Sequence, residues 1–187
     1  FNPYIPLNDE DSSIPAAFFE IVVQNITTKR ITYTVCVSVQ NPLPKGTTVN
    51  TYREMGKVRV IKLSSSKVKS GEVEFGDLTV ATDAPNVSYQ EYWFRGGWFD
   101  NLGIYWRDFT SLGKFNNRHY PETAAGIQDH CLLAAHFQVK PGETGSARFI
   151  ISWNFPNCYN YWKPEKPDCE ECDCTTKATK IWKNYYA

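Results

Sequence analysis

The sequence predicts an all-β fold: an antiparallel β-sandwich with a short helix inside one long loop and the start of a helix at the C-terminal end. Three observations carry this expectation. Six Trp, 11 Tyr and 11 Phe bring the aromatic content to 15% of 187 residues, and rings with β-branched side chains favour strands over helices. Apolar and polar residues alternate with period two along several segments, the mark of a strand with one buried face. Turn residues punctuate those segments at short intervals, which is the spacing of a sandwich.

Residues 1–15 hold Pro3, Pro6 and Pro15 around Asn8-Asp9-Glu10-Asp11-Ser12-Ser13. Pro removes donors and Asn, Asp and Ser favour turns, so this stretch is expected to be irregular. Ala17, Phe19, Ile21 and Val23 then alternate with Glu20 and Gln24, a strand. After a polar turn at 25–30, Ile31, Tyr33, Val35, Val37 and Val39 alternate with Thr32, Thr34, Cys36 and Ser38. The short linker predicts that these two strands pair as an antiparallel hairpin. Residues 41–51 read as a Pro/Gly loop, and short strands are expected around 58–63, 72–80 and 88–94. The pattern breaks over 95–129, a long excursion with a short helix expected near 103–112. Two strong strands follow, Cys131 to Val139 and Ala147 to Trp153, turned by Pro141-Gly142-Glu143-Thr144-Gly145, where Gly supplies a positive φ. Residues 1–156 therefore form the sandwich. Residues 157–187 are a Cys-containing linker that ends in a helix start over 175–187.

Composition excludes several classes. Lys and Arg number 20 and so do Asp and Glu, so no net charge draws the chain to nucleic acid or to an anionic membrane. Hydrophobic residues at 42% against 21% charged exclude intrinsic disorder. No apolar run approaches the roughly 20 residues of a spanning helix. The first residues carry Asp9, Glu10, Asp11 and Glu20 and no basic-then-apolar leader, which points to the cytoplasm. Without an initiator Met the chain reads as a mature or excised fragment.

Cys36 and Cys131 sit in strand patterns and read as small buried hydrophobes. Cys158, Cys169, Cys172 and Cys174 cluster and could hold a structural zinc, form disulfides or remain free thiols. In each case they staple a loop. His119, His130 and His136 lie at no spacing that pairs them with a Cys or Ser nucleophile. Asp100, Asp108, Glu122 and Asp129 fall in the aromatic excursion, but two glycosidase carboxyls must face each other across a cleft and are ordinarily solvated otherwise. Asn8 to Asp11 lacks the spacing of a calcium loop. Asn25-Ile26-Thr27 and Asn86-Val87-Ser88 match the glycosylation pattern. Trp93, Trp98 and Trp106 could present rings to a carbohydrate.

Longer motifs add a resemblance. Pro3-Tyr4-Ile5-Pro6-Leu7-Asn8-Asp9-Glu10-Asp11-Ser12-Ser13-Ile14-Pro15 leads into Phe18-Phe19-Glu20. Phe137-Gln138-Val139-Lys140-Pro141-Gly142-Glu143 forms a hairpin motif. Ile150-Ile151-Ser152-Trp153 runs into Phe155-Pro156-Asn157 and Tyr159, and the chain closes on Trp182-Lys183-Asn184-Tyr185-Tyr186-Ala187. Together these resemble the N-terminal domain of glycoside hydrolase family 116, the family of non-lysosomal glucosylceramidase and bacterial β-glucosidases. The resemblance implies the later part of a larger sandwich, a partial supersandwich, followed by an (α/α)6 barrel that carries the retaining nucleophile and the acid/base. No residue here matches those catalytic motifs, so no catalytic residue is carried over, and the Cys cluster is not part of the family pattern. The expected partner is the C-terminal catalytic barrel of the same polypeptide. Alone, the fragment is expected to self-associate through an unpaired sheet edge or apolar patch. The competing expectation is a free-standing carbohydrate-binding module built on Trp93, Trp98 and Trp106.

Overall fold

The computed structural model describes residues 5–44, 47–95, 101–111, 114–120, 129–159 and 181–183. Its described elements are mainly antiparallel strands. A five-stranded sheet has the order β1–β8–β5–β4–β3, formed by β1 (Ala16–Gln24), β3 (Thr48–Met55), β4 (Val58–Ser65), β5 (Asp77–Thr82) and β8 (Thr144–Asn154). A three-stranded sheet has the order β2–β7–β6, formed by β2 (Ile31–Gln40), β6 (Val87–Gln90) and β7 (His130–Val139). The expected all-β sandwich is what forms.

Two expected hairpins do not. β1 pairs with β8, from Ala16↔Ser152 to Gln24↔Thr144, and β2 pairs with β7, from Ile31↔Val139 to Gln40↔His130. Successive strands thus cross from one sheet to the other. The cause lies in the two connections, which lock onto each other. Asn25 N donates to Glu143 O at 3.0 Å, and Gly142, at φ 74°, returns its N–H to Asn25 O at 2.8 Å. The Asn25 side chain is wholly buried and donates to Lys29 O at 2.7 Å and Val139 O at 2.9 Å. Its amide thereby steers the chain across the sandwich. Gly145 completes the arrangement, since a Cβ there would lie 2.7 Å from Val139 Cγ2 and 2.9 Å from the Phe137 ring.

Other bounds shift as well. The loop expected over 41–51 already contains the start of β3, and the strands expected over 72–80 and 88–94 run instead as β5 and β6. The irregular opening holds a short helix, α1 (Asp9–Ser12), capped by Asn8, whose Oδ1 accepts Asp11 N at 3.0 Å. The helix in the excursion is present as α2 (Asn101–Thr110). At the C-terminal end, part of the expected helix start is a strand, β10 (Ile181–Lys183), antiparallel to β9 (Asn157–Tyr159). The β-branched and aromatic pair Ile181-Trp182 suits that strand.

Between the sheets lies one core. Ile61, Leu63, Val80, Cys131, Leu133, Ala135, Ala147 and Phe149 are buried together, edged by Ile21, Val35, Val37, Tyr52 and Tyr89. Full burial of one such large apolar side chain contributes about 1.5–3 kcal/mol. The second face of the small sheet is covered too. Phe115, Trp93 and Tyr105 pack on Leu132, Ala134 and Cys36. β7 is therefore buried on both faces, which is why Cys131 to Ala135 runs apolar without alternation. Burial pushes the Cys131 thiol up to about 12, so it behaves as an inert hydrophobe.

His136 sits on β7, buried, with Nδ1 2.9 Å from Thr34 Oγ1 and Nε2 2.7 Å from Ser88 Oγ. Burial, and then Lys114, lower its pKa. The unfolded chain protonates this group near pH 6.5, the folded chain only below that. The unfolded state thus holds more protons between the two values, and stability falls as the pH drops below about 6.5. Melting midpoints are expected to decline from pH 7.5 to 5.5, and the decline should shrink in His136→Gln, which can still bond both hydroxyls.

Candidate functional site

The excursion between β6 and β7 carries most of the unusual residues, and a buried polar cluster closes its neck. Asp129 meets Arg95 in a paired fork, with Nε to Oδ1 at 3.2 Å and Nη2 to Oδ2 at 2.6 Å, and both side chains are 1% exposed. Thr48 Oγ1 also donates to Asp129, while Arg95 reaches Thr48 O at 2.9 Å and lies 3.5 Å over the Tyr92 ring. Glu91 is equally buried. Its Oε1 accepts Tyr52 N at 2.9 Å and its Oε2 lies 2.5 Å from His119 Nδ1. Asp108, on α2, pairs with Arg118 at 2.7 Å and accepts from Gln90 Nε2 at 2.9 Å. Asp108 and Asp129 are therefore each held by a guanidinium. Asp100 and Glu122 lie outside the described residues. Glu91, which the sequence did not single out, belongs to this cluster, and its only outward signal was a lone acid between Gln90 and three aromatics.

Of the three tryptophans, Trp93 and Trp106 lie among the described residues. Trp93 donates Nε1 to Ser38 Oγ at 2.8 Å and stacks on Tyr105 and on His130, each 4.2 Å away and within 18° of parallel. Two rings at that distance cannot share one face of an indole, so they cover opposite faces. A sugar could stack on Trp93 only by displacing one of them. Trp106 is 58% exposed on the outside of α2, where Leu102 and Phe109 extend it into an apolar stripe at helical spacing. Trp98 lies outside the described residues, as do Cys169, Cys172 and Cys174. Cys158 is half-buried on β9.

A second apolar surface lies on the outer face of the five-stranded sheet. The register sets Phe18 beside Ile150, Ile150 beside Ala81 and Ala81 beside Val60. Phe18, Val58, Ala81 and Ile150 line a hollow of about 570 Å³, with Asp83 and Arg148 paired at its rim. Small Ala81 between larger neighbours makes the depression. The sequence signalled it through apolar residues on consecutive positions, Phe18 with Phe19 and Ile150 with Ile151, which place apolar groups on both faces of β1 and β8. Four of the hollow's apolar side chains, Phe18, Phe19, Val58 and Ile150, are exposed.

The sequence comparison decides the family. The model of beta-glucosidase 2, glycosyl-hydrolase family 116 N-term, matches residues 1–187. The chain belongs to this family. Comparison with curated proteins gives no match. The family 116 domain thus combines a sandwich core, an excursion tied down at its neck and an open apolar sheet face. Among its described residues no helix is long and apolar enough to cross a membrane. Of the two glycosylation patterns, Asn25 is sealed in the fold and Asn86 is exposed.

Proposed function

We propose that this chain is the non-catalytic supporting domain of a β-glucosidase-type enzyme. It packs against a C-terminal (α/α)6 catalytic barrel of the same polypeptide through the outer face of its five-stranded sheet. The observation that carries the reading is an N-terminal family match over the whole chain, together with the hollow at Phe18, Val58, Ala81 and Ile150. The acids support it. Glycoside hydrolysis needs two carboxyls facing each other across the sugar, whereas Asp108 and Asp129 each lie against an arginine. The covered faces of Trp93 weigh against a free-standing carbohydrate-binding module.

The test is reconstitution. This chain and the separately produced catalytic barrel are expected to co-purify, and Ile150→Lys, at an exposed position, should abolish the complex while leaving the circular dichroism of the domain unchanged. The domain alone should not hydrolyse a chromogenic β-glucoside. Hydrolysis that survives repurification would overturn the reading. Millimolar or tighter binding of gluco-oligosaccharides by the domain alone would replace it with the binding-module reading.

A further inference from the structure

We propose that the free edge of β2 is the self-association site of this chain, pairing antiparallel with β2 of a second copy about a two-fold axis at Cys36. The sandwich has four outer edges, β1 and β3 in one sheet and β2 and β6 in the other. Two are covered by the protein itself. On β3, the outward N–H groups of Asn50 and Tyr52 donate to Tyr92 Oη at 2.7 Å and Glu91 Oε1 at 2.9 Å. On β6, Tyr89 N donates to Asn117 Oδ1 and Tyr89 O accepts Arg118 N, each at 3.0 Å. β1 carries Glu20 at its middle, the charge that commonly blocks edge-to-edge pairing.

Among the described residues β2 has none of these protections. Its sequence, ITYTVCVSVQ, holds no charge and no Pro, and among the described residues its ladder partner is β7 alone. The parity of its hydrogen bonds is fixed. Asn41 N donates to Asp129 O, continuing the register of β2 on β7, so odd-numbered residues turn their backbone groups toward β7. Thr32, Thr34, Cys36, Ser38 and Gln40 turn theirs outward. No described residue bonds this outward row, and a row of this length is a template for another strand.

The strand is also complementary to itself. With Cys36 opposite its own copy, the outward residues meet in matching pairs, Thr34 with Ser38 and Thr32 with Gln40. On the core side Tyr33 meets Val39 and Val35 meets Val37. Every outward N–H finds a carbonyl, Thr–Ser contacts fall across the strands, and the apolar row continues the core across the axis. Pairing about the middle of β1 would instead set Glu20 against Glu20. Isologous pairing of this kind closes on itself and gives a dimer. The edge of the small sheet is separate from the hollow on the large sheet, so the dimer does not depend on barrel docking.

Sedimentation velocity on the chain over rising concentration is expected to show a monomer–dimer equilibrium. Thr32→Lys with Gln40→Lys sets two ammonium groups against two others in this register, and Thr32→Glu with Gln40→Glu does the same with carboxylates. Each double variant should weaken association at least tenfold, with circular dichroism and cooperative melting retained. An equimolar mixture of the two should restore a dimer, because opposite charges now face each other. A clean monomer at the highest concentration, a dimer indifferent to both double variants, or a mixture that fails to associate would each overturn the proposal. The Ile150→Lys domain, which is expected to lose the barrel, should still dimerise, so the two readings fail separately.

Discussion

Asp129→Ala is expected to destabilise the domain by about 3–5 kcal/mol, the cost of stranding one member of a buried ion pair. Against a total stability of about 5–15 kcal/mol for a domain, that loss is a large share of the margin. The reason is desolvation. Arg95 and Asp129 are each 1% exposed in their side chains, so truncation leaves a guanidinium in the interior without the carboxylate that met it at 2.6 Å and 3.2 Å. Thr48 O and the Tyr92 ring also lie beside it. The pair itself need not be strongly stabilising, because the same desolvation was incurred when both charges were buried. Replacing both, with Arg95→Met and Asp129→Leu, should therefore recover most of the loss. Urea unfolding of Arg95→Met, Asp129→Leu and the double variant closes the cycle. A cost below about 1 kcal/mol for Asp129→Ala would mean that water reaches the pair. The consequence reaches beyond stability. Thr48 starts β3, Arg95 follows β6 and Asp129 precedes β7, so this one contact cinches the two ends of the aromatic excursion.

How much of this was legible follows from what periodicity encodes. β2 and β8 could be read because Val, Ile and Phe alternate there with Thr, Ser and Arg, and a period of two says strand with one inward face. It does not say which strand lies alongside. Ala16–Gln24 and Ile31–Gln40 would look the same in a hairpin or in two sheets, and the choice rests on the buried amide of Asn25, a residue type read ordinarily as a surface turn. β3 was hidden for a related reason. Thr48 and Asn50 are polar, and their burial depends on Asp129, Tyr92 and Glu91, far away in sequence. The site divides the same way. The concentration of rings was plain, while the stacking that covers both faces of Trp93 is a tertiary fact. The hollow on the large sheet was written in Phe18 and Ile150, whose apolar neighbours spoil the alternation.

Leu132→Ala is expected to cost about 2–5 kcal/mol, the range for truncating a fully buried leucine. The number matters because of where Leu132 points. In a sandwich with one wet face, Leu133 would be core and its neighbour Leu132 would face water, where truncation is worth within about half a kcal/mol. Here both are wholly buried, Leu133 against the large sheet and Leu132 beneath Phe115, with Trp93 and Tyr105 beside it. The aromatic layer thus has to act as part of the fold rather than as a loop lying over it. Leu132→Ala and Leu133→Ala, compared by equilibrium unfolding, should then be of similar size. A cost below about 1 kcal/mol for Leu132→Ala, with Leu133→Ala still large, would show that the layer yields to fill the space. In that case the helix α2 and its exposed stripe would be free to move on the sheet. If the two costs match, the stripe of Leu102, Trp106 and Phe109 is held as rigidly as the core beneath it, because the stacked rings that fix α2 are the same rings that bury Leu132.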